Sequence, residues 1–198
     1  MPKTRRFAGF ILEARLAEER EMTPETAILA GGCFWCTEAV FQRLRGVERV
    51  VSGYTGGSVA NPTYSDVSSG LSGHAEAVQV TFDAAIVSYE TLVRVFFELH
   101  NPTTLNQQDY DFGAQYRSAI FYHDDAQRET AERVKREVDA SGMYPSNAVT
   151  EIVPLGEFYP AEDYHQGFYA QNETYPYCQI IISPKLEKLY KRFGDLTA

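Results

Sequence analysis

The stretch Ala27-Ile28-Leu29-Ala30-Gly31-Gly32-Cys33-Phe34-Trp35-Cys36-Thr37-Glu38-Ala39-Val40-Phe41 decides the fold, because it joins a strand to a helix through two glycines. Its first four residues form a short apolar run that is typical of a buried strand. Val40 and Leu44 lie four residues apart, on one face of a helix that follows the glycines. Cys33 is therefore predicted at the turn between the strand and the start of the helix.

Strands and helices alternate outward from this turn. Apolar patterns predict strands at residues 47–51, 78–82, 117–122 and 149–153, helices at 88–99, 124–142, 161–171 and 184–193, and a short strand at 179–182. Long loops at 53–73 and 100–115 are expected to meet at one edge, and loops of this length are usually functional. This order predicts an α+β fold, a two-layer split-βαβ (ferredoxin-like) sandwich with decorating strands and a long irregular C-terminal segment.

Length and composition indicate one globular domain. The chain has 198 residues, of which 44% are hydrophobic and 23% charged, as in ordinary soluble proteins. We interpret residues 1–25 as an amphipathic helical extension and residues 26–198 as the single folded domain that carries any activity. The formal charge of −9, without a long basic run, argues against nucleic acid as a partner. The apolar stretch at residues 7–12 is too short to span a membrane.

The cysteines are the candidates for chemistry. A helix N-terminus behind two glycines is expected to lower the pKa of Cys33 and make it a nucleophile. Cys36 lies three residues further on, where helical geometry brings a second thiol almost within disulfide reach. Three cysteines, an odd number, suit a reducing compartment, so we expect a cytoplasmic protein.

Two alternatives remain open for the C-x-x-C pair. A zinc-binding thiol module would use Cys33, Cys36 and Cys178, but the four histidines supply no second pair at ligand spacing. A general thiol-disulfide oxidoreductase would use the same two cysteines at the helix start, although the order of strands and helices differs from the usual one. We therefore expect no metal and no bound cofactor.

Spaced motifs over roughly residues 26–193 resemble the signature of the peptide methionine sulfoxide reductases of the A type. In chain order they are Gly32-Cys33-Phe34-Trp35-Cys36-Thr37-Glu38, Ser52-Gly53-Tyr54-Thr55-Gly56-Gly57, Asn61-Pro62-Thr63-Tyr64, Gly73-His74-Ala75-Glu76, His100-Asn101-Pro102-Thr103-Thr104, Gln115-Tyr116-Arg117-Ser118 and Phe158-Tyr159-Pro160-Ala161-Glu162-Asp163-Tyr164-His165-Gln166. The resemblance implies reduction of methionine S-sulfoxide, free or protein-bound, to methionine.

The resemblance also implies a role for individual residues. Cys33 would attack the sulfoxide sulfur, and Glu76, held protonated, would hydrogen-bond the sulfoxide oxygen and supply a proton. Such a role requires a raised carboxyl pKa, which burial in an aromatic pocket can provide. Tyr64 and Tyr116 would orient the same oxygen, and Asp111 matches the aspartate that precedes the Gln-Tyr-Arg element of the family.

Phe34 and Trp35 would form the apolar wall that receives the methyl group of the substrate. After the attack Cys33 would be a sulfenic acid, which condenses with a thiol to a disulfide. Cys36 is the nearer candidate by helical geometry, while Cys178 matches the recycling cysteine of many relatives, and we favour Cys36. The resemblance implies thioredoxin or another dithiol as reductant and oxidised proteins and peptides as substrates, and we expect a monomer.

Two positions depart from the family pattern. The loop before Asp111 usually reads Gln-Gly-Asn-Asp, whereas this chain has Gln108-Asp109-Tyr110-Asp111. Many members of the family also have glycine at the position of Cys36. Asp109 and Cys36 are therefore features of this chain that the resemblance does not explain.

Overall fold

A computed structural model describes residues 24–198. Of the predicted N-terminal extension, residues 1–23 lie outside this range, and Pro24 and Glu25 belong to the first strand. The strands are β1 (Pro24–Gly31), β2 (Val47–Thr55), β3 (Ala75–Asp83), β4 (Gln107–Gln108), β5 (Asp111–Phe112), β6 (Ser118–Tyr122), β7 (Glu151–Pro154) and β8 (Tyr159–Pro160). The helices are α1 (Phe34–Phe41), α2 (Tyr64–Ser68), α3 (Tyr89–Leu99), α4 (Asp125–Ser141), α5 (Phe168–Gln171) and α6 (Ser183–Phe193).

Six strands form one sheet in the order β7-β6-β1-β3-β2-β8, and β4 pairs with β5 in a small hairpin. β1 runs antiparallel to its neighbours β3 and β6, and β2 runs antiparallel to β3. α1 therefore connects β1 to β2 across β3, and α3 connects β3 to β6 across β1. This is the split-βαβ arrangement, so the predicted fold class is confirmed.

The main core lies between the helices and one face of the sheet. Alternate residues of β1 divide between the two faces, because successive side chains of a strand point in opposite directions. Ala27 and Leu29 join the large cluster under the helices, whereas Ile28 and Ala30 join a small cluster that Val153 and Leu155 help to cover. The sheet thus carries helices on one side, and Cys33, Phe34 and Cys36 belong to the core cluster on that side.

Several predicted helix ends are confirmed by their caps. The Ser88 hydroxyl accepts the N–H of Thr91 at the start of α3, and the Asp124 carboxylate accepts the N–H of Gln127 at the start of α4. Gly142 ends α4 in the left-handed conformation that favours glycine. Within residues 24–198, none of the helices combines the length and apolar character needed to cross a bilayer.

The two long loops meet, as predicted. The Gln115 side chain donates a hydrogen bond to the Ser68 carbonyl, and the Arg117 guanidinium donates to the Gly73 carbonyl. The first loop is shorter than expected because β2 continues to Thr55, and it contains α2.

Two predictions for the C-terminal segment are wrong. In place of one helix over 161–171 there is a 3₁₀ turn, Asp163–His165, followed by α5, and Gly167 separates them with a φ of +61°. In place of a strand over 179–182 the chain forms a π-helical turn, Cys178–Ile182, that leads into α6. Tertiary hydrogen bonds hold this segment against α1 and β2, and the local pattern of apolar residues does not reveal them.

Candidate active site

Cys33 lies at the N-cap of α1, where β1 ends in two glycines. Gly32 has a φ of +94°, and a Cβ added there would lie 2.5 Å from the Gln108 side chain. Glycine is therefore required both by the backbone conformation and by the close contact. The Cys33 side chain is buried with only 8% exposure, and its carbonyl accepts the N–H of Cys36 at 3.1 Å. The tight turn presents the thiol at the start of the helix.

Glu76 lies on β3 beside this turn. Its side chain is 2% exposed, and its Oε2 accepts the backbone N–H of Phe34 at 3.0 Å. Burial raises the pKa of Glu76 to about 8, the Phe34 N–H opposes the shift, and the negative charges of Asp111 and Cys36 add to it. At neutral pH this carboxyl group is mostly protonated, so it can donate a proton next to the cysteine.

Tyr64 and Tyr116 are half-buried and come from the two long loops. Burial raises the pKa of both hydroxyls, and the negative charge of Glu76 is the next largest cause for each. The hydroxyls therefore stay protonated near the same carboxyl group. The Tyr64 backbone is held by its N–H, which donates to the Glu162 carboxylate at 2.8 Å.

Asp111 is engaged by a residue that the sequence analysis did not assign. The Tyr177 hydroxyl donates to the Asp111 carboxylate at 2.6 Å and lies 3.7 Å from the Cys36 sulfur. Half-burial raises the pKa of Asp111, and the hydrogen bond from Tyr177 opposes this shift. Asp111 thus anchors the C-terminal segment over the thiols.

The aromatic wall consists of two unlike side chains. Phe34 is almost fully buried and packs on the His165 ring at 4.9 Å, so it supports the site from within. Trp35 is partly exposed, stacks on Phe168 with ring centroids 3.6 Å apart, and donates its indole N–H to His165 Nδ1 at 3.1 Å. Of the two predicted wall residues, Trp35 is thus the one that is open to solvent.

The pKa of the Cys33 thiol differs from the expectation based on the sequence. Burial raises the pKa of Cys33 well above its ordinary value, with smaller contributions from the hydrogen bond to Cys36 and the charge of Glu76. The pKa of Cys36 is lowered by the hydrogen bond from Cys33, and the positive charge of Lys185 and the Tyr177 hydroxyl add to this effect. The expected lowering of the Cys33 pKa by the helix N-terminus is therefore wrong, because burial outweighs it.

Cys178 is close to the site but is not exposed to it. Its side chain has 0% exposure and belongs to the main core, in the π-helical turn before α6. Burial raises the pKa of its thiol, as does the charge of Cys36. All three cysteines are free thiols in this structure. The Cys36 side chain interacts with Cys33, whereas Cys178 is packed as a fully buried core residue.

Hydrogen bonds explain two other motif residues that sequence reasoning left without a role. Both carboxylate oxygens of Glu38 accept the N–H of Gly167, at 2.9 and 3.0 Å, which ties the C-terminal segment to α1. His165 is 1% exposed, and its Nδ1 atom accepts the Trp35 indole N–H, which ties the same segment to the first turn of α1. Their place in the quoted motifs was the only signal, because no local pattern reports contacts over more than 100 residues.

The part of the chain that the structure describes offers no set of side chains that could bind a metal ion. Residues 24–198 contain no cluster of three or more His, Cys, Asp or Glu side chains that could hold one metal ion. The site instead combines a buried acid, two hydroxyl groups and a thiol pair.

Comparisons with known proteins agree with this geometry. A family model described as peptide methionine sulfoxide reductase matches residues 25–196. A relative from Chromobacterium violaceum, named peptide methionine sulfoxide reductase MsrA, is 55% identical over 172 residues, which are 87% of this chain and 98% of that protein.

Solved structures are similar as well. Mxr1 from Saccharomyces cerevisiae in reduced form is 30% identical with a TM-score of 0.74, covering 80% of this chain and 94% of the yeast chain. Mxr1 in complex with Trx2 is 25% identical with a TM-score of 0.53, covering 76% and 87%. The chain belongs to the peptide methionine sulfoxide reductase family, and it is an oxidoreductase that reduces methionine sulfoxide.

Proposed function

We propose that Cys33 is the nucleophile that attacks the sulfoxide sulfur and that Glu76 is the acid that protonates the sulfoxide oxygen. The observation that carries this proposal is the buried Glu76 carboxyl group, bonded to the N–H of Phe34 directly after Cys33. Its pKa of about 8 supplies a proton at neutral pH, and a general acid acts best when its pKa lies near the working pH.

The first half-reaction then balances without a further reactant. The Cys33 thiol releases its proton to water and its sulfur forms a bond to the sulfoxide sulfur, while Glu76 donates a proton to the oxygen. The hydroxyl group then moves to the Cys33 sulfur as the sulfur–oxygen bond of the substrate and the new sulfur–sulfur bond break, which leaves Cys33 as a sulfenic acid and releases methionine. Tyr64 and Tyr116 donate hydrogen bonds to the oxygen as negative charge develops on it, which stabilises the transition state. Burial disfavours the Cys33 thiolate, so the thiol gives up this proton only as its sulfur bonds to the sulfoxide.

Trp35 binds the methyl group of the substrate, and the buried Phe34 supports this wall from behind. Trp35 offers the exposed apolar surface, and its stacking on Phe168 fixes the ring in place. Asp111 positions the segment that carries Tyr177 over the thiols. We propose that the site accepts the S epimer of the sulfoxide, in free methionine and in proteins.

In the second half-reaction the Cys36 thiolate attacks the Cys33 sulfenic acid. A disulfide forms between Cys33 and Cys36, and the hydroxide that leaves takes up a proton to become water. The hydrogen bond from Cys33 to Cys36 supports Cys36 as the first resolving thiol. Cys178 is fully buried, so it can take part only after the C-terminal segment moves.

A thioredoxin, or another dithiol, then reduces the disulfide. The complex of yeast Mxr1 with Trx2 supports this reductant, and the exchange needs no bound metal or organic cofactor. Because the cycle begins with free thiols, we propose a reducing compartment, the cytoplasm, as its location. We also propose that residues 26–198 act as one catalytic domain in a monomer.

The test is turnover of the separated S and R epimers of a methionine sulfoxide peptide, with dithiothreitol and then thioredoxin as reductant. We expect reduction of the S epimer only, and none in Cys33→Ser. Equal turnover of both epimers would contradict the proposed specificity, and activity in Cys33→Ser would exclude this nucleophile.

The resolving thiol is tested separately by the methionine burst of prereduced protein. Cys36→Ser is expected to keep the first turnover and to slow recycling by thioredoxin, while Cys178→Ser keeps the Cys33–Cys36 disulfide. Loss of the burst itself in Cys36→Ser would contradict the assignment. A Cys33–Cys178 disulfide in the wild-type protein after one turnover would move the role to Cys178.

A further inference from the structure

Asp109 has an unusual backbone conformation at the position where the family pattern has glycine. Its φ is +52°, in the left-handed region that disfavours residues other than glycine, although aspartate tolerates it better than most. Its carboxylate forms an ion pair with the Lys185 ammonium group at 2.7 Å. A side chain that glycine lacks thus connects the loop before Asp111 to the first turn of α6.

Lys185 is far less exposed than a typical lysine. Its side chain is only 14% exposed, and it lines a small, partly open cavity together with Cys36 and His100. Burial lowers the pKa of His100 to about 4, so its imidazole is neutral. Among the described residues that line this cavity, Lys185 therefore supplies the positive charge.

Charged and titratable groups on several surrounding elements lie close enough to Cys36 to interact with it. They are Cys33 at the start of α1, Glu76 on β3, the neutral His100 at the end of α3, Asp111 on β5, and Tyr177, Cys178 and Lys185 on the C-terminal segment. Asp111 opposes a negative charge on Cys36, whereas Lys185 favours it. Lys185 is the only cation in this set, which is drawn from residues 24–198.

We propose that Lys185, anchored by Asp109, is a positioning residue for the resolving step: its ammonium group favours the Cys36 thiolate that attacks the Cys33 sulfenic acid. The proposal rests on the proposed role of Cys36. The ammonium group neither gives nor takes a proton in the step. The sulfur–oxygen bond of Cys33 breaks, the Cys33–Cys36 bond forms, and the departing hydroxide is protonated to water.

The experiment measures the rate of disulfide formation after one turnover. Reduced full-length protein is mixed with excess methionine sulfoxide peptide between pH 5.5 and 9.5, quenched with an alkylating agent, and analysed by mass spectrometry for the Cys33–Cys36 disulfide. In Lys185→Met the midpoint of the pH profile is expected to move to higher pH. The rate at neutral pH should fall about three- to tenfold, the order expected for removing a nearby opposite charge that Asp109 partly offsets.

The plateau at high pH separates this effect from general damage. A thiol of higher pKa is the better nucleophile once ionised, so Lys185→Met should reach at least the wild-type plateau. A merely structural defect would lower the plateau without moving the midpoint. Lys185→Arg keeps the charge and should keep the wild-type midpoint. Lys188, one turn further along α6, donates to the Glu98 carbonyl and provides the control. Lys188→Met should leave the midpoint unchanged.

The double variant Asp109→Asn/Lys185→Met tests whether the Asp109 carboxylate, left without its ion-pair partner, causes the shift of the midpoint. It should still have a higher midpoint than the wild type, and a wild-type midpoint would overturn the proposal. An unchanged midpoint in Lys185→Met, or equal shifts in Lys185→Arg and Lys185→Met, would overturn it as well. If the wild-type protein forms no Cys33–Cys36 disulfide, the role of Cys36 in the proposed function is wrong, and the proposal for Lys185 falls with it.

Discussion

The isosteric change Glu76→Gln tests the protonated acid most directly. Glutamine keeps a carbonyl oxygen that can accept the Phe34 N–H, and its NH₂ group replaces the O–H donor of a protonated carboxyl group. Because the two side chains have nearly the same shape, the change adds no volume and opens no cavity at this buried position, where Glu76 is 2% exposed. What it removes is the ability to give up a proton.

The magnitude follows from the two pKa values of the carboxyl group. Its ordinary pKa is 4.5, and burial raises it to about 8 in the folded protein. Since the folded state holds the proton more tightly, Glu76 contributes full stability below pH 4.5, and this contribution is lost as the pH rises towards 8. The loss amounts to about 5 kcal/mol at 1.36 kcal/mol per pH unit. The free energy of unfolding of Glu76→Gln should not fall in this pH range. The variant should nevertheless lose most of its reductase activity.

Urea unfolding of both proteins from pH 4 to 9 measures the effect. We expect the free energy of unfolding of Glu76→Gln to exceed that of the wild type by an amount that grows between pH 4.5 and 8 and is constant above. The exposed Glu129 on α4 provides the control, because Glu129→Gln should follow the wild-type curve. Parallel curves for Glu76→Gln and the wild type would refute a protonated Glu76 at neutral pH.

Four further substitutions test the aromatic wall, the oxygen site and the packing of β2 against β8. Trp35→Leu removes the stacking on Phe168 and the bond to His165, so KM for a sulfoxide peptide should rise about tenfold in steady-state assays, and an unchanged KM would exclude the wall role. Tyr64→Phe and Tyr116→Phe should each lower kcat about tenfold, the effect of about 1.4 kcal/mol in the transition state, and kcat unchanged in both would exclude the two hydroxyls. Gly53→Ala would place a Cβ 2.5 Å from the Tyr159 carbonyl oxygen, so urea unfolding should show a loss of about 1–3 kcal/mol, and a wild-type value would show that β8 can shift freely.

The fold was predictable because its signals are local. Apolar spacing along β1 and α1, and the caps at Ser88 and Asp124, depend on residues within one or two turns of each other. The split-βαβ order then follows from the sequence of elements. The segment after residue 160 was mispredicted because Gly167 is held by Glu38, 129 positions away in the chain.

The series of spaced motifs from Gly32 to Gln166 identified the family and the reaction from the sequence alone, because spaced residue types are a property of the chain itself. The electrostatics of the site were decided only by the tertiary structure. Burial raises the pKa of Cys33, and the lower pKa belongs to Cys36. Lys185 reaches the thiol cavity through contacts between residues far apart in sequence. A pKa depends on burial and on neighbouring charges, and neither exists until β3, the β4–β5 hairpin and α6 are packed around α1.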